Sequence, residues 1–152
     1  MLHRFGLYSL AGLFLLTMQA PPAPAQASRS GMKLIRTQRA AAELRGPAAR
    51  RPRVVQVGFF RLYEAGHIPG AIYAGPARTA QGRQKLRQAV KSWPRNAQIF
   101  IYCGCCPMAE CPNVRPAWTV LKKMGFRQVR VIDLPQNFYT NWIQAGLPHT
   151  RQ

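Results

Sequence analysis

From Arg53 onward, short β-branched runs alternate with amphipathic segments, and few architectures satisfy that order. Val54-Val55-Gln56-Val57, Ala71-Ile72-Tyr73-Ala74, Ile99 to Tyr102 and Val129 to Ile132 are short, apolar and bounded by breakers, as strands buried on both faces are. Helical patterns lie between them. Arg61 to Ala65 makes one turn, closed by Gly66. In Thr79 to Trp93, Leu86, Val90 and Trp93 share one face, Arg83, Lys85, Arg87 and Lys91 lie mostly opposite, and Pro94 ends the pattern. Val114, Trp118 and Leu121 mark the next helix, stopped by Gly125. Phe138 and Trp142 mark a last one over Pro135 to Ala145, with Gly146 as its stop. Strands joined through helices cannot pair as hairpins, so the expected fold is α/β, a central parallel sheet with helices on both faces, in a single domain over residues 54–152.

The residues before that domain read differently. Met1-Leu2-His3-Arg4 is a basic start, Gly6 to Met18 is almost wholly apolar, and Gln19 to Ala27 ends in Ala25-Gln26-Ala27. This is the layout of a cleaved signal peptide over 1–27, with the mature chain beginning at Ser28 and lying in the periplasm or outside the cell. The apolar run is shorter than the roughly 20 residues a membrane-spanning helix needs. Residues 28–53 carry eight Lys or Arg against one Glu and read as a basic linker or arm. Within them Met32 to Ile35 could add an edge strand and Thr37 to Arg45 a helix.

All four cysteines of the chain fall in Cys103-Gly104-Cys105-Cys106-Pro107-Met108-Ala109-Glu110-Cys111, directly after the most apolar strand and before a helix start. A disulfide staple joins distant parts of a chain, so thiols packed this closely point to reaction or binding. Loop amides entering a helix favour negative charge, and a thiol at that junction ionises more readily. Three uses fit: holding a cysteine persulfide or a sulfur oxyanion; thiol–disulfide exchange through the C-x-x-C of Cys103 and Cys106; or binding of Cu(I) or Zn by Cys103, Cys105, Cys106 and Cys111.

Net charge narrows the partners. The chain carries +18, and only Arg4 falls in 1–27, which leaves +17 on the mature chain. Such a field attracts anions. No zinc-finger spacing or RNA-binding signature accompanies it, and the aromatics do not interleave with the basic residues, so specific nucleic-acid binding is not expected. Small anionic substrates or an acidic partner fit better. His67 reads as a turn-shaping residue beside Pro69 and Gly70, and Trp93, Trp118 and Trp142 as core or helix-face residues.

Several segments in register resemble the rhodanese-like family: Gly66-His67-Ile68-Pro69-Gly70-Ala71, the strand ending in Tyr102-Cys103, Lys122-Lys123-Met124-Gly125-Phe126, Val129 to Ile132, and Trp142-Ile143-Gln144-Ala145-Gly146-Leu147-Pro148. The extended Cys-rich loop looks like that of an exported bacterial branch of the family. The resemblance implies a sulfurtransferase that takes sulfane sulfur from an anionic donor such as thiosulfate and passes it to a thiol or cyanide-like acceptor, with no cofactor. It implies Cys103 as the persulfide carrier and Arg115 as the group that binds the donor's sulfonate. Cys105, Cys106 and Cys111 are then resolving or relay thiols. The family's acid in the early strand is replaced here by Gln56, and the Arg two residues later by Gly58.

Overall fold

Five parallel strands form the sheet, with Leu34–Arg36 (β1), Gln128–Asp133 (β5), Gln98–Tyr102 (β4), Arg53–Gln56 (β2) and Ile72–Tyr73 (β3) side by side in that order. The computed structural model describes residues 31–151; the expected leader over 1–27 lies outside them. The helices are α1 (Thr37–Leu44), α2 (Phe60–Ala65), α3 (Ala80–Val90) and α4 (Val114–Lys123). No helix of the described residues is long and apolar enough to cross a membrane.

Side chains on a strand alternate between faces, and that alternation builds two cores. On one face Val55, Val57, Ile99, Ile101 and Val131 pack against Leu86 and Val90 of α3 and Ala117, Val120 and Leu121 of α4. On the other, Val54, Phe100, Tyr102 and Ile132 pack against Ala40 and Ala41 of α1, Tyr63 of α2, and Phe138 and Trp142. β4 is central, and Ile99, Phe100 and Ile101 have no exposed surface. α3 starts where Thr79 accepts a hydrogen bond from the Gly82 amide at 2.9 Å, a side-chain cap that sets its first turn.

Residues 34–44, within the stretch read as a basic linker or arm, form β1 and α1, where an edge strand and a helix were also expected. The edge strand expected there pairs in register with β5, Leu34 opposite Val131. Two forces hold the segment. Ile35, Ala40 and Ala41 are buried in the second core. Glu43 of α1 pairs with Arg130 of β5 and with Arg39, and the Arg130 hydrogen bond is the chief reason its carboxyl lies below its ordinary value. Arg130 also lies over the Phe100 ring, 4.6 Å from its centroid.

The helix expected over Pro135 to Ala145 shrinks to a single wide turn, Tyr139–Ile143, of π-helical form. Local side chains fix where it starts. Asn141 Oδ1 accepts from the amides of Gln136 at 2.7 Å and Asn137 at 3.1 Å, and Asn137 Oδ1 accepts from the Thr140 amide at 2.8 Å. Asn137 thus caps the turn, and Asn141 satisfies the amides just before it, so the helical backbone begins after Asn137 and not at Pro135. Trp142 remains buried, with its indole N–H donating to the Pro148 carbonyl at 2.8 Å. The His67 ring stacks on Tyr63 and its backbone pairs with Thr150, while the turn itself falls on Pro69 and Gly70.

Candidate active site

In an open parallel sheet, loops gather at the carboxyl ends of the strands, and the thiols lie there. Cys103 is the first residue beyond β4 and joins the core shared with α3 and α4. Its carbonyl accepts a hydrogen bond from Gln56 Nε2 at 2.8 Å, while Gln56 Oε1 accepts from the Gly58 amide at 3.2 Å. The buried amide at position 56 thus ties two strand ends together. Gly58 stands so close that a Cβ there would lie 2.7 Å from the Cys103 carbonyl oxygen and 2.8 Å from Cys103 Sγ. Both departures from the family pattern therefore act on the same cysteine.

The loop then doubles back. Gly104 takes a left-handed φ of 90°, and its carbonyl accepts from the Phe138 amide at 3.2 Å. The Met108 amide donates to the Leu134 carbonyl at 2.9 Å, which pins the short turn Met108–Glu110 against the end of β5. This return carries Cys111 to the entrance of α4. The sulfurs of Cys103, Cys105 and Cys111 all lie within 4.8 Å of one another. Cys103 Sγ is 3.2 Å from Cys105 Sγ, which is 3.0 Å from Cys106 Sγ. All four are free thiols.

Asn113, which has no exposed surface, donates from Nδ2 to Cys103 Sγ at 3.3 Å and accepts from the Arg78 amide at 3.1 Å. Sequence reading assigned no role to Gln56, Gly58 or Asn113. The available signal was a glycine and an amide at positions where the family carries charge.

The thiols are electrostatically unequal. The neighbouring Cys103 thiol, together with the amides of Asn113 and Val114 at the start of α4, brings Cys111 down to about 6, against the opposing effect of burial. Cys103, close to the Cys111 sulfur and itself buried, is pushed up. Burial and then its contact with Cys105 push Cys106 up to about 12. Negative charge at the cluster accordingly rests on Cys111.

Access is also unequal. Cys103 is 2% exposed, and the cavity it shares with Cys106, Met108, Cys111, Ile132 and Leu134 is too small for a water molecule. Half-buried Cys105 lines an open groove of about 450 Å³ with Leu62, Phe138, Tyr139 and Arg151. The structure brings the four cysteines together but places Arg115 elsewhere: it is exposed on α4 and lines a basic groove with Arg83, Arg87 and Lys123.

The family model for the rhodanese-like domain matches residues 38–142. The chain belongs to the rhodanese-like family. Its fold is similar to the crystal structure of the Alr3790 protein from Anabaena, at 20% identity and a TM-score of 0.59, over 78% of this chain and 82% of that one. It is similar to the BH2092 protein from Bacillus halodurans, at 18% identity and a TM-score of 0.59, over 79% and 77%. It is also similar to a thiosulfate sulfurtransferase from Pseudomonas aeruginosa, at 18% identity and a TM-score of 0.56, over 79% of this chain and 20% of that one. At these identities the likeness is one of fold. No curated protein matches the chain.

Proposed function

We propose that this rhodanese-like protein is an exported sulfane-sulfur transferase in which sulfur enters and leaves through Cys105 and is stored as a persulfide on Cys103. One observation carries the reading: Cys105 Sγ lies 3.2 Å from the buried Cys103 Sγ, while Cys105 also lines the open groove. A donor the size of thiosulfate has no path to Cys103 in this arrangement, but it reaches Cys105.

Cys105 attacks the outer sulfur of thiosulfate as its proton passes to the neighbouring Cys111 thiolate. The donor S–S bond breaks, and sulfite leaves with the electron pair. Cys103 then attacks the outer sulfur of the Cys105 persulfide, the Cys105–sulfur bond breaks, and the Cys103 proton passes to the departing Cys105 sulfur. An acceptor thiol reverses the path at the groove. The basic chain attracts the anionic donor, and membership of the family together with the likeness to a thiosulfate sulfurtransferase supports the donor class. Export follows from the leader-like layout of 1–27, and N-terminal sequencing of protein from the cell envelope tests it, with Ser28 as the expected first residue.

The test of transfer is intact mass after reduced protein meets thiosulfate. Wild type should gain one sulfur atom and lose it on reduction. Cys105→Ser should load far more slowly. Cys103→Ser should load at Cys105 and surrender the sulfur to cyanide at once. Wild-type loading by Cys105→Ser would refute the entry route. Loss of two hydrogens with no sulfur gained would favour the thiol–disulfide reading over transfer.

A further inference from the structure

We propose that Cys103, Cys105 and Cys111 also form a three-thiolate site for a soft monovalent cation, Cu(I), a binding function separate from sulfur transfer. Among the described residues, no other three His, Cys, Asp or Glu side chains converge in this way. The spacing suits one metal atom. With the zinc–thiolate bond of about 2.3 Å as the scale, three sulfurs around a trigonal ion stand about 4 Å apart. The observed separations, 3.2 Å for Cys103 to Cys105 and at most 4.8 Å within the trio, bracket that value.

The surroundings select the ion. Met108, Val114, Ile132 and Leu134, with Cys106, line the cavity beside Cys103 and Cys111, so the inner wall offers thiol, thioether and hydrocarbon but no carboxylate or imidazole, while Cys105 closes the trio from the side of the open groove. Sulfur donors against an apolar inner wall favour Cu(I) over oxygen-seeking cations. Tetrahedral zinc asks for a fourth ligand. Cys106 Sγ touches Cys105 at 3.0 Å but stands outside the group whose sulfurs are mutually close. Asn113 Nδ2, 3.3 Å from Cys103 Sγ, supplies the outer hydrogen bond that orients a ligating sulfur. A metal atom and a sulfane sulfur on Cys103 would occupy the same space, so each excludes the other.

The test is an anaerobic titration of the reduced full chain with Cu(I), using bicinchoninate as the competing chelator. One Cu(I) per chain should be withheld from the chelator, and X-ray absorption should report three sulfur neighbours. Cys103→Ser, Cys105→Ser and Cys111→Ser should each weaken binding more than Asn113→Leu, for which the loss of an outer-shell partner predicts about 10–100-fold. Cys106→Ser should bind as wild type does. Cys105 is half-buried in the loop, so Cys105→Ser remains informative if a core variant fails to fold. Complete stripping of wild type by bicinchoninate, full affinity in Cys105→Ser, or an equal loss in Cys106→Ser would overturn the three-thiolate site. Sulfur loading is read on copper-free protein, so either activity can fail without the other.

Discussion

Replacing Asn113 with leucine isolates the hydrogen bond that the structure directs at the storage sulfur. Leucine keeps the volume and the apolar contacts but removes the Nδ2 donor 3.3 Å from Cys103 Sγ. A hydrogen bond to a charged group contributes roughly 1.5–3 kcal/mol. A sulfur acceptor at this distance belongs at the lower end, and about 1.4 kcal/mol corresponds to one pKa unit or a factor of ten. The midpoint of the pH profile for transfer of loaded sulfur from Cys105 to Cys103 should therefore rise by about one unit. Below that midpoint the transfer rate should fall about tenfold, while the high-pH plateau and the loading at Cys105 stay at the wild-type level. The Arg78 amide also loses its acceptor, which lowers thermal stability by about 1–3 kcal/mol. Intact mass after a brief cyanide chase, which strips Cys105 but not the buried Cys103, follows transfer across pH and separates the two effects, because lost stability alone does not move a midpoint. A destabilised variant with the wild-type midpoint would show that Asn113 holds the loop and leaves the sulfur's charge alone.

Three further outcomes follow from the same geometry. Far-ultraviolet thiolate absorbance should rise as pH increases through about 6, and in Cys111→Ser the first thiolate should move toward the ordinary thiol value of about 8.5; an unchanged midpoint would place the charge on another cysteine. Gly58→Ala should cost about 1–3 kcal/mol in denaturant melts, because the new methyl meets the Cys103 carbonyl and sulfur at under 3 Å; a neutral result would mean the strand ends yield freely. Raising salt should slow loading by thiosulfate, and Arg115→Ala should slow it no more than Arg51→Ala, since Arg115 faces a groove away from the thiols; a larger loss for Arg115 would bring the donor to that groove.

What the sequence disclosed was local in origin. The extents of β4 and α3 follow from a β-branched run and a capped amphipathic face, and both are carried by neighbouring residues. The four thiols announced a reactive loop because they are adjacent in the chain. The roles of Gln56, Gly58 and Asn113 depend on contacts 47, 45 and 10 positions away, made only when β2, β4 and α4 assemble. Arg115 shows the converse. Its place just after the Cys-rich loop suggested a donor-binding residue, but the helical phase of α4 turns it toward Arg83 and Arg87. The final helix starts later than its apolar spacing implies, and the local signal for that start is Asn137, a cap residue just before Phe138.

The pairing of β1 with β5 joins Leu34 to Val131, nearly opposite ends of the described chain. A ribosome delivers residues in order, so the edge strand emerges first and waits for its partner until almost the whole sheet has been made. Until then Ile35, Ala40 and Ala41 have lost one wall of their core, and Glu43 lacks Arg130. Closure of the domain is therefore a late, long-range event, of the kind that slows folding because distant segments must meet before any contact rewards them. A chain shortened to end before Gln128 should leave 31–44 open to protease, whereas the complete chain protects it.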